Sequence, residues 1–130
     1  MAIVNIVIGL ALIQFFAFGA LVGRARAKYG VPAPAMSGHE IFERYNRVHY
    51  NTMEQLVIFV PAMLLFGYYV SAPVAALLGL VFIVGRTVYL GAYVADPARR
   101  GAGFGLTVLP NTILLLGGLG GAIWTAYSQL

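Results

Sequence analysis

The sequence predicts an all-α integral membrane protein: a four-helix bundle forming one domain over residues 1–130. Three observations predict it. The chain is 61% hydrophobic and only 9% charged, with mean hydropathy +0.87, whereas a soluble domain is roughly a quarter charged. Four apolar runs recur along it, each near the ~20 residues a spanning helix needs, or reaching that length with a polar extension. The basic side chains, Arg86 apart, fall in only two of the three connections between those runs.

The first helix is expected at about 2–28. Its apolar run, Ala2 to Gly23, is interrupted only by Asn5 and Gln14, has no basic residue before it and is followed by Arg24, Arg26 and Lys28. That charge order is the reverse of a secretory signal, so the segment reads as a retained helix. Gly30, Pro32 and Pro34 forbid its continuation. Ser37, with Glu40 three residues on, forms a capping-box pattern for the second helix, expected at about 38–70. At 1.5 Å per residue that helix is about 48 Å long, so its first turns project beyond the hydrocarbon, and Pro61 is expected to bend it. The third helix, about 73–95, has Pro73 in its first turn and stops before Asp96-Pro97. The fourth, about 101–128, carries Pro110. Gly19 with Gly23, and Gly117 with Gly121, give the four-residue spacing of small side chains that lets helices approach closely.

The basic residues set the expected topology. Arg24, Arg26, Lys28, Arg44 and Arg47 lie between the first and second runs, and Arg99 and Arg100 between the third and fourth. The positive-inside rule then places both basic connections in the cytoplasm and both termini outside. The pI near 9.7 therefore reflects topology and contact with anionic membrane lipid. No extended basic surface remains for nucleic acid. The chain has no cysteine, which excludes disulfides, thiolate metal sites and a cysteine nucleophile, so any thiol chemistry requires a thiol brought in by another molecule. No metal-ligand spacing is present, because the two histidines stand ten residues apart in different surroundings.

The densest polar cluster runs from Glu43 to Glu54, directly into the second apolar run. Arg44, Arg47, Asn51 and Glu54 are spaced i, i+3, i+7 and i+10, one helix face. Headgroup anchoring explains the two arginines but not the amide and carboxylate deeper on that face. Arg86 is an intramembrane charge for which three readings stand: snorkelling to the cytoplasmic side, pairing with Glu54, or contacting a ligand. Tyr89 and Tyr93 share its face. They read as interface-belt residues when taken alone, and as hydroxyl donors when set opposite the cluster. Arg99 and Arg100 fit topology or a site, and His49 beside the cluster reads as a hydrogen-bonding residue.

The string Arg47-Val48-His49-Tyr50-Asn51-Thr52-Met53-Glu54 resembles the second-helix signature of the MAPEG family, the membrane-associated proteins in eicosanoid and glutathione metabolism, whose pattern is Arg-x-x-x-Asn-x-x-Glu. Arg86-Thr87-Val88-Tyr89 with Tyr93 and the following basic pair resembles the end of that family's third helix. The likeness covers nearly the whole chain. It implies a homotrimer that binds glutathione as co-substrate between neighbouring protomers, at the cytoplasmic end of a bacterial inner-membrane protein. By position, Arg47, His49, Asn51, Glu54, Arg86, Tyr89, Tyr93 and, from the first helix, Arg26 would bind glutathione. Arg100 would be the catalytic residue that activates the thiol.

What the resemblance implies about activity is a glutathione transferase or peroxidase acting on a lipophilic small-molecule electrophile or hydroperoxide. Gln55 stands where several catalytic members have tyrosine, which favours a bacterial-type transferase over a dedicated leukotriene or prostaglandin enzyme. Two alternatives use similar scaffolds. One is a non-catalytic lipid-binding member, against which the full polar set argues. The other is a small four-helix multidrug exporter, which would centre on a carboxylate in the first helix, where this chain offers only Asn5 and Gln14.

Overall fold

A computed structural model describes residues 1–130 and contains four long helices: α1 (Ala2–Tyr29), α2 (Glu40–Tyr69), α3 (Ala72–Ala95) and α4 (Gly101–Ser128), with a short 3-10 turn at Pro97–Arg99. The four elements are long and apolar enough to span a bilayer, so the all-α, four-helix, membrane-spanning expectation holds. The two central helices pack on each other; α1 and α4 each pack against both and scarcely touch one another. In a bilayer every buried backbone polar group must be satisfied inside the segment, which a helix does by its own ladder.

The helix ends differ in detail from the sequence reading. At the start of α2, the cap is His39, not Ser37: its Nδ1 accepts the N–H of Ile41 at 3.1 Å. His39 wins because its ring also stacks on Tyr29 at 4.0 Å, tying the loop's two ends together. The first turn of α3 begins one residue before Pro73, capped by the Ser71 hydroxyl accepting from the Val74 N–H at 3.3 Å. Gly30 ends α1 in the left-handed region at φ 65°, a conformation that costs glycine nothing. The second helix runs unbroken through Pro61.

Only 30 of the 130 residues are buried within the chain, as expected where lipid, not protein, covers the apolar exterior. The main core joins Val4, Val7 and Ala11 of α1 to Phe59, Ala62, Met63 and Phe66 of α2, with Ala75, Ala76 and Phe82 of α3 and Leu114 of α4. Phe59 and Phe82 stack with centroids 4.0 Å apart. Lipid tails are as apolar as these side chains, so close packing and interhelical hydrogen bonds hold the bundle together. Several polar bridges cross between helices. Gln14 of α1 donates to the Ile83 carbonyl and the Thr87 hydroxyl of α3, both at 2.9 Å. Asn111 of α4 donates to the Gln55 side-chain oxygen of α2 at 3.2 Å. Arg86 of α3 donates to Asn51 of α2 at 2.9 Å.

Glycines set the closest approaches. A Cβ on Gly103 of α4 would stand 2.4 Å from the Tyr89 backbone nitrogen, and one on Gly85 of α3 would stand 2.8 Å from the Leu106 backbone carbon. Each helix therefore inserts a glycine against its neighbour's main chain. Of the glycine pairs singled out from spacing, Gly117 and Gly121 do meet the end of α2, against Phe66 and Val70, whereas a Cβ on Gly23 would touch nothing. A Gly103→Val substitution should destabilise the detergent-solubilised protein by about 1–3 kcal/mol through overpacking, read as a lowered thermal midpoint. Gly105→Ala, where a Cβ meets nothing within 4 Å, should leave the midpoint unchanged or raise it.

Candidate functional site

The polar residues collect at the end of the bundle formed by the last turns of α1 and α3 and the first turns of α2 and α4. The first half of α2 supplies Arg44, Arg47, Asn51 and Glu54. Arg44 anchors that helix: its Nη1 donates to the carbonyls of Val94 (2.9 Å) and Ala95 (3.2 Å), two of the unpaired C-terminal acceptors of α3. Its Nη2 pairs with Glu40 at 2.6 Å. Headgroup anchoring is thus not its job here; it locks α2 to α3.

Two adjoining concavities open beside it. One, of about 350 Å³, is lined by Arg47, Asn51, Tyr89, Tyr93, Arg100 and Phe104. The other, of about 580 Å³, shares Arg47 and Tyr93 and extends to Met36, Glu40, Glu43, Arg44, Asn46, Tyr50 and Pro97. Together they form a groove at the mouth of the α2–α3–α4 seam. Tyr89 and Tyr93 stack with centroids 5.5 Å apart, which aligns their rings along one wall. Arg100 sits at the N-cap of α4, exposed, its Nη1 donating to the Pro97 carbonyl at 3.3 Å. The Asp96 side chain accepts from the Ala98 N–H at 3.1 Å and so fixes the turn that carries Arg100. The positive end of α4 lies at the same point.

Arg47 and Glu54 pair weakly along the helix at 3.5 Å, with 55% and 54% of their side chains exposed, so both remain open to exchange this contact for a ligand. Asn51 lies between them, only 8% exposed. Arg86 is fully buried and does not line the groove. The Arg86–Glu54 pairing open in the sequence is not formed. The guanidinium instead donates to Asn51 Oδ1 at 2.9 Å and to Thr107 Oγ1 at 3.5 Å, and lies 4.3 Å from the centre of the Tyr89 ring. Glu54 is turned away on the exposed side, and the amide one turn earlier takes its place.

Glu54, like Arg86, lines neither concavity, and two further expected residues stand elsewhere. His49 is two residues from Arg47, about 200° round the helix, and its ring stacks on Phe15 of α1 at 4.5 Å. There it borders a separate apolar concavity with Leu12, Phe16, Gly19 and Ala20. Arg26 clips the α1–α2 loop: its Nη1 donates to the carbonyls of Ala35 (2.7 Å) and Pro32 (3.2 Å), and its guanidinium lies 4.7 Å from the centre of the Phe42 ring. Residues that the sequence did not single out are Thr107 and Phe104. Thr107 is a lone hydroxyl in an apolar run, and only its placement opposite Arg86 gives it meaning. Phe104 sits one turn after Arg100, a spacing that is a usable signal for a shared wall.

The Arg47–Glu54 pair is solvent-accessible, and such pairs contribute little to stability. Glu54→Gln should therefore shift the unfolding free energy by less than about 0.5 kcal/mol, read by thermal denaturation in detergent. Any functional loss in that variant then reports on the groove and not on folding.

Comparison with known proteins shows the family. Residues 4–120 match the MAPEG family. An uncharacterised protein of Synechocystis is 48% identical over 103 residues, covering 79% of this chain and 75% of that protein. Microsomal glutathione S-transferase 2 of Homo sapiens is 38% identical over 104 residues, covering 79% of this chain and 71% of the human protein. Its counterpart in Bos taurus is 36% identical over the same shares. With matches over this span and four membrane-spanning helices, the chain belongs to the MAPEG family and is an integral membrane protein related to the glutathione transferases.

Proposed function

We propose that the protein is a membrane-bound glutathione transferase that activates the glutathione thiol for attack on lipophilic electrophiles, with peroxidase activity toward lipid hydroperoxides. The observation that carries this reading is the convergence of Arg47, Asn51, Tyr89, Tyr93 and Arg100 on one groove, in a chain related to microsomal glutathione transferases. Glutathione carries two carboxylates, an ammonium and a thiol. The groove offers guanidiniums for the carboxylates and an amide at Asn51, and Glu54, outside it but paired with Arg47, would take the ammonium.

Arg100 is the proposed catalytic residue. A free thiol has a pKa near 8.5 and is mostly protonated at neutral pH. A guanidinium at short range favours the thiolate, and each unit of lowering is worth about 1.4 kcal/mol and nearly tenfold more nucleophile. The positive end of α4 acts in the same direction. Of the guanidiniums in the group, Arg100 is exposed and free of any acidic partner, whereas Arg47 has Glu54 and Arg86 is buried. In conjugation the thiolate forms a bond to the electrophilic carbon, and the electron pair leaves with the leaving group or moves into the conjugated acceptor. In peroxide reduction the thiolate attacks oxygen, the O–O bond breaks and the alcohol leaves. A second glutathione then gives the disulfide and water. The apolar flank along α4 and the surrounding lipid would deliver the hydrophobic substrate to the sulfur.

A homotrimer with glutathione between protomers accounts for the residues the chain places apart. Arg26 and His49 lie near α1, on the far side of α2 from Arg47. A site shared between neighbours would bring these residues of one protomer to the groove of the next. The one-sided basic charge supports a cytoplasmic site with both termini outside. These readings also take the chain as one transmembrane domain.

Arg100→Ala should abolish turnover and the ultraviolet thiolate signal while leaving glutathione binding within about threefold. Equal loss of binding and turnover would remove Arg100 as activator. The chain lacks cysteine, so a single introduced one reports topology cleanly. With Ser128→Cys, an impermeant maleimide should label intact expressing cells, and with Ala98→Cys only permeabilised ones. Native mass spectrometry should find three chains per particle.

A further inference from the structure

We infer that Arg86 does not contact the ligand but orients Asn51, so that Asn51 meets the groove with amide N–H donors only. This position then takes an acceptor oxygen of the ligand, a carboxylate or peptide carbonyl, and rejects an ammonium. The identity of the ligand as glutathione rests on the function proposed above.

A guanidinium has donors and no acceptor. The Asn51 atom 2.9 Å from Arg86 Nη2 must therefore be the amide oxygen, whichever way the amide is first drawn. With Oδ1 held inside, Nδ2 is the end left for the groove that Asn51 lines. The orientation is fixed on several sides. Arg86 has no exposed surface and lies over the Tyr89 ring at 4.3 Å. It also reaches the Thr107 hydroxyl at 3.5 Å, which gives its own proton to the Gly103 carbonyl at 3.0 Å and so turns lone pairs toward the arginine. No carboxylate pairs with Arg86; the two ion pairs of the chain are elsewhere. The Asn51 oxygen is thus its closest acceptor, and rotating the amide would set N–H groups against a buried cation. A positive charge behind the amide also polarises its N–H bonds, making them stronger donors toward an anionic oxygen. The ligand's ammonium would be left to Glu54, on the exposed side of the same face.

The test is glutathione titration by calorimetry on the detergent-solubilised full-length protein, with steady-state kinetics alongside. Asn51→Asp keeps an oxygen for Arg86 but replaces two donors by an acceptor. It should hold or raise the thermal midpoint, weaken glutathione binding by at least about tenfold, and raise KM with little change in kcat at saturation. Arg86→Met should weaken binding in the wild-type background and have no further effect in Asn51→Ala. Arg86→Lys, still a donor, should restore part of the affinity. Asn51→Asp binding as tightly as wild type would overturn the inference alone. So would Arg86→Met weakening binding by the same factor in both backgrounds, the result expected of direct contact or general damage. Asn51→Asp carries the test by itself if Arg86→Met does not fold. Wild-type protein that binds no glutathione would overturn the ligand reading and this inference together.

Discussion

A guanidinium buried among membrane helices is the constraint around which this end of the bundle is arranged. Arg86 is enclosed completely, and at such depth an unsatisfied cation costs several kcal/mol. Its two terminal nitrogens are met by Thr107 of α4 and Asn51 of α2, and the Tyr89 ring of its own α3 lies against it, while Nε is left without a partner. Those contacts require α3 and α4 to approach closely, which Gly85 and Gly103 permit. They also fix the backs of Asn51 and Tyr89, the same two residues whose fronts line the groove. Accommodating one buried charge therefore shapes the site.

The groove draws its character from its position at the boundary of two solvents. Its floor is polar and supported from behind, while the exposed Arg47 and Arg100 stand in front with room to move. A few turns deeper, the bundle is held by aromatic stacking and close packing, with Phe59 on Phe82 at the centre. The exterior of α4 is left to lipid. Arg44, spent on the carbonyls of Val94 and Ala95, keeps the two helices that form the mouth from spreading.

Much of the fold was legible in the residues because membrane helices are specified locally: run length, apolarity and flanking charge need no knowledge of neighbours. The helix ends were less so. Ser37 has the better capping pattern, yet His39 caps α2, because its ring can also stack on Tyr29 across the loop. The Arg47, Asn51 and Glu54 face was legible from spacing alone. His49 was drawn into the same group by proximity in sequence, although two residues on a helix point to nearly opposite sides, and it packs on Phe15 instead.

By itself the sequence determined the four helices, the end at which charge gathers, and the one-faced polar cluster of α2. Each follows from periodicity and composition, which act over a few residues. Only the tertiary structure decided the partners: that Arg86 holds Asn51 and not Glu54, that Thr107 is its second acceptor, that Arg44 ties helices together while Arg47 makes only an exposed pair with Glu54, and that Arg26 is occupied by the loop. These are choices between chemically similar acceptors, settled by which carbonyl, amide or carboxylate the helix crossings bring within about 3 Å of a donor. No local pattern along the chain carries that information.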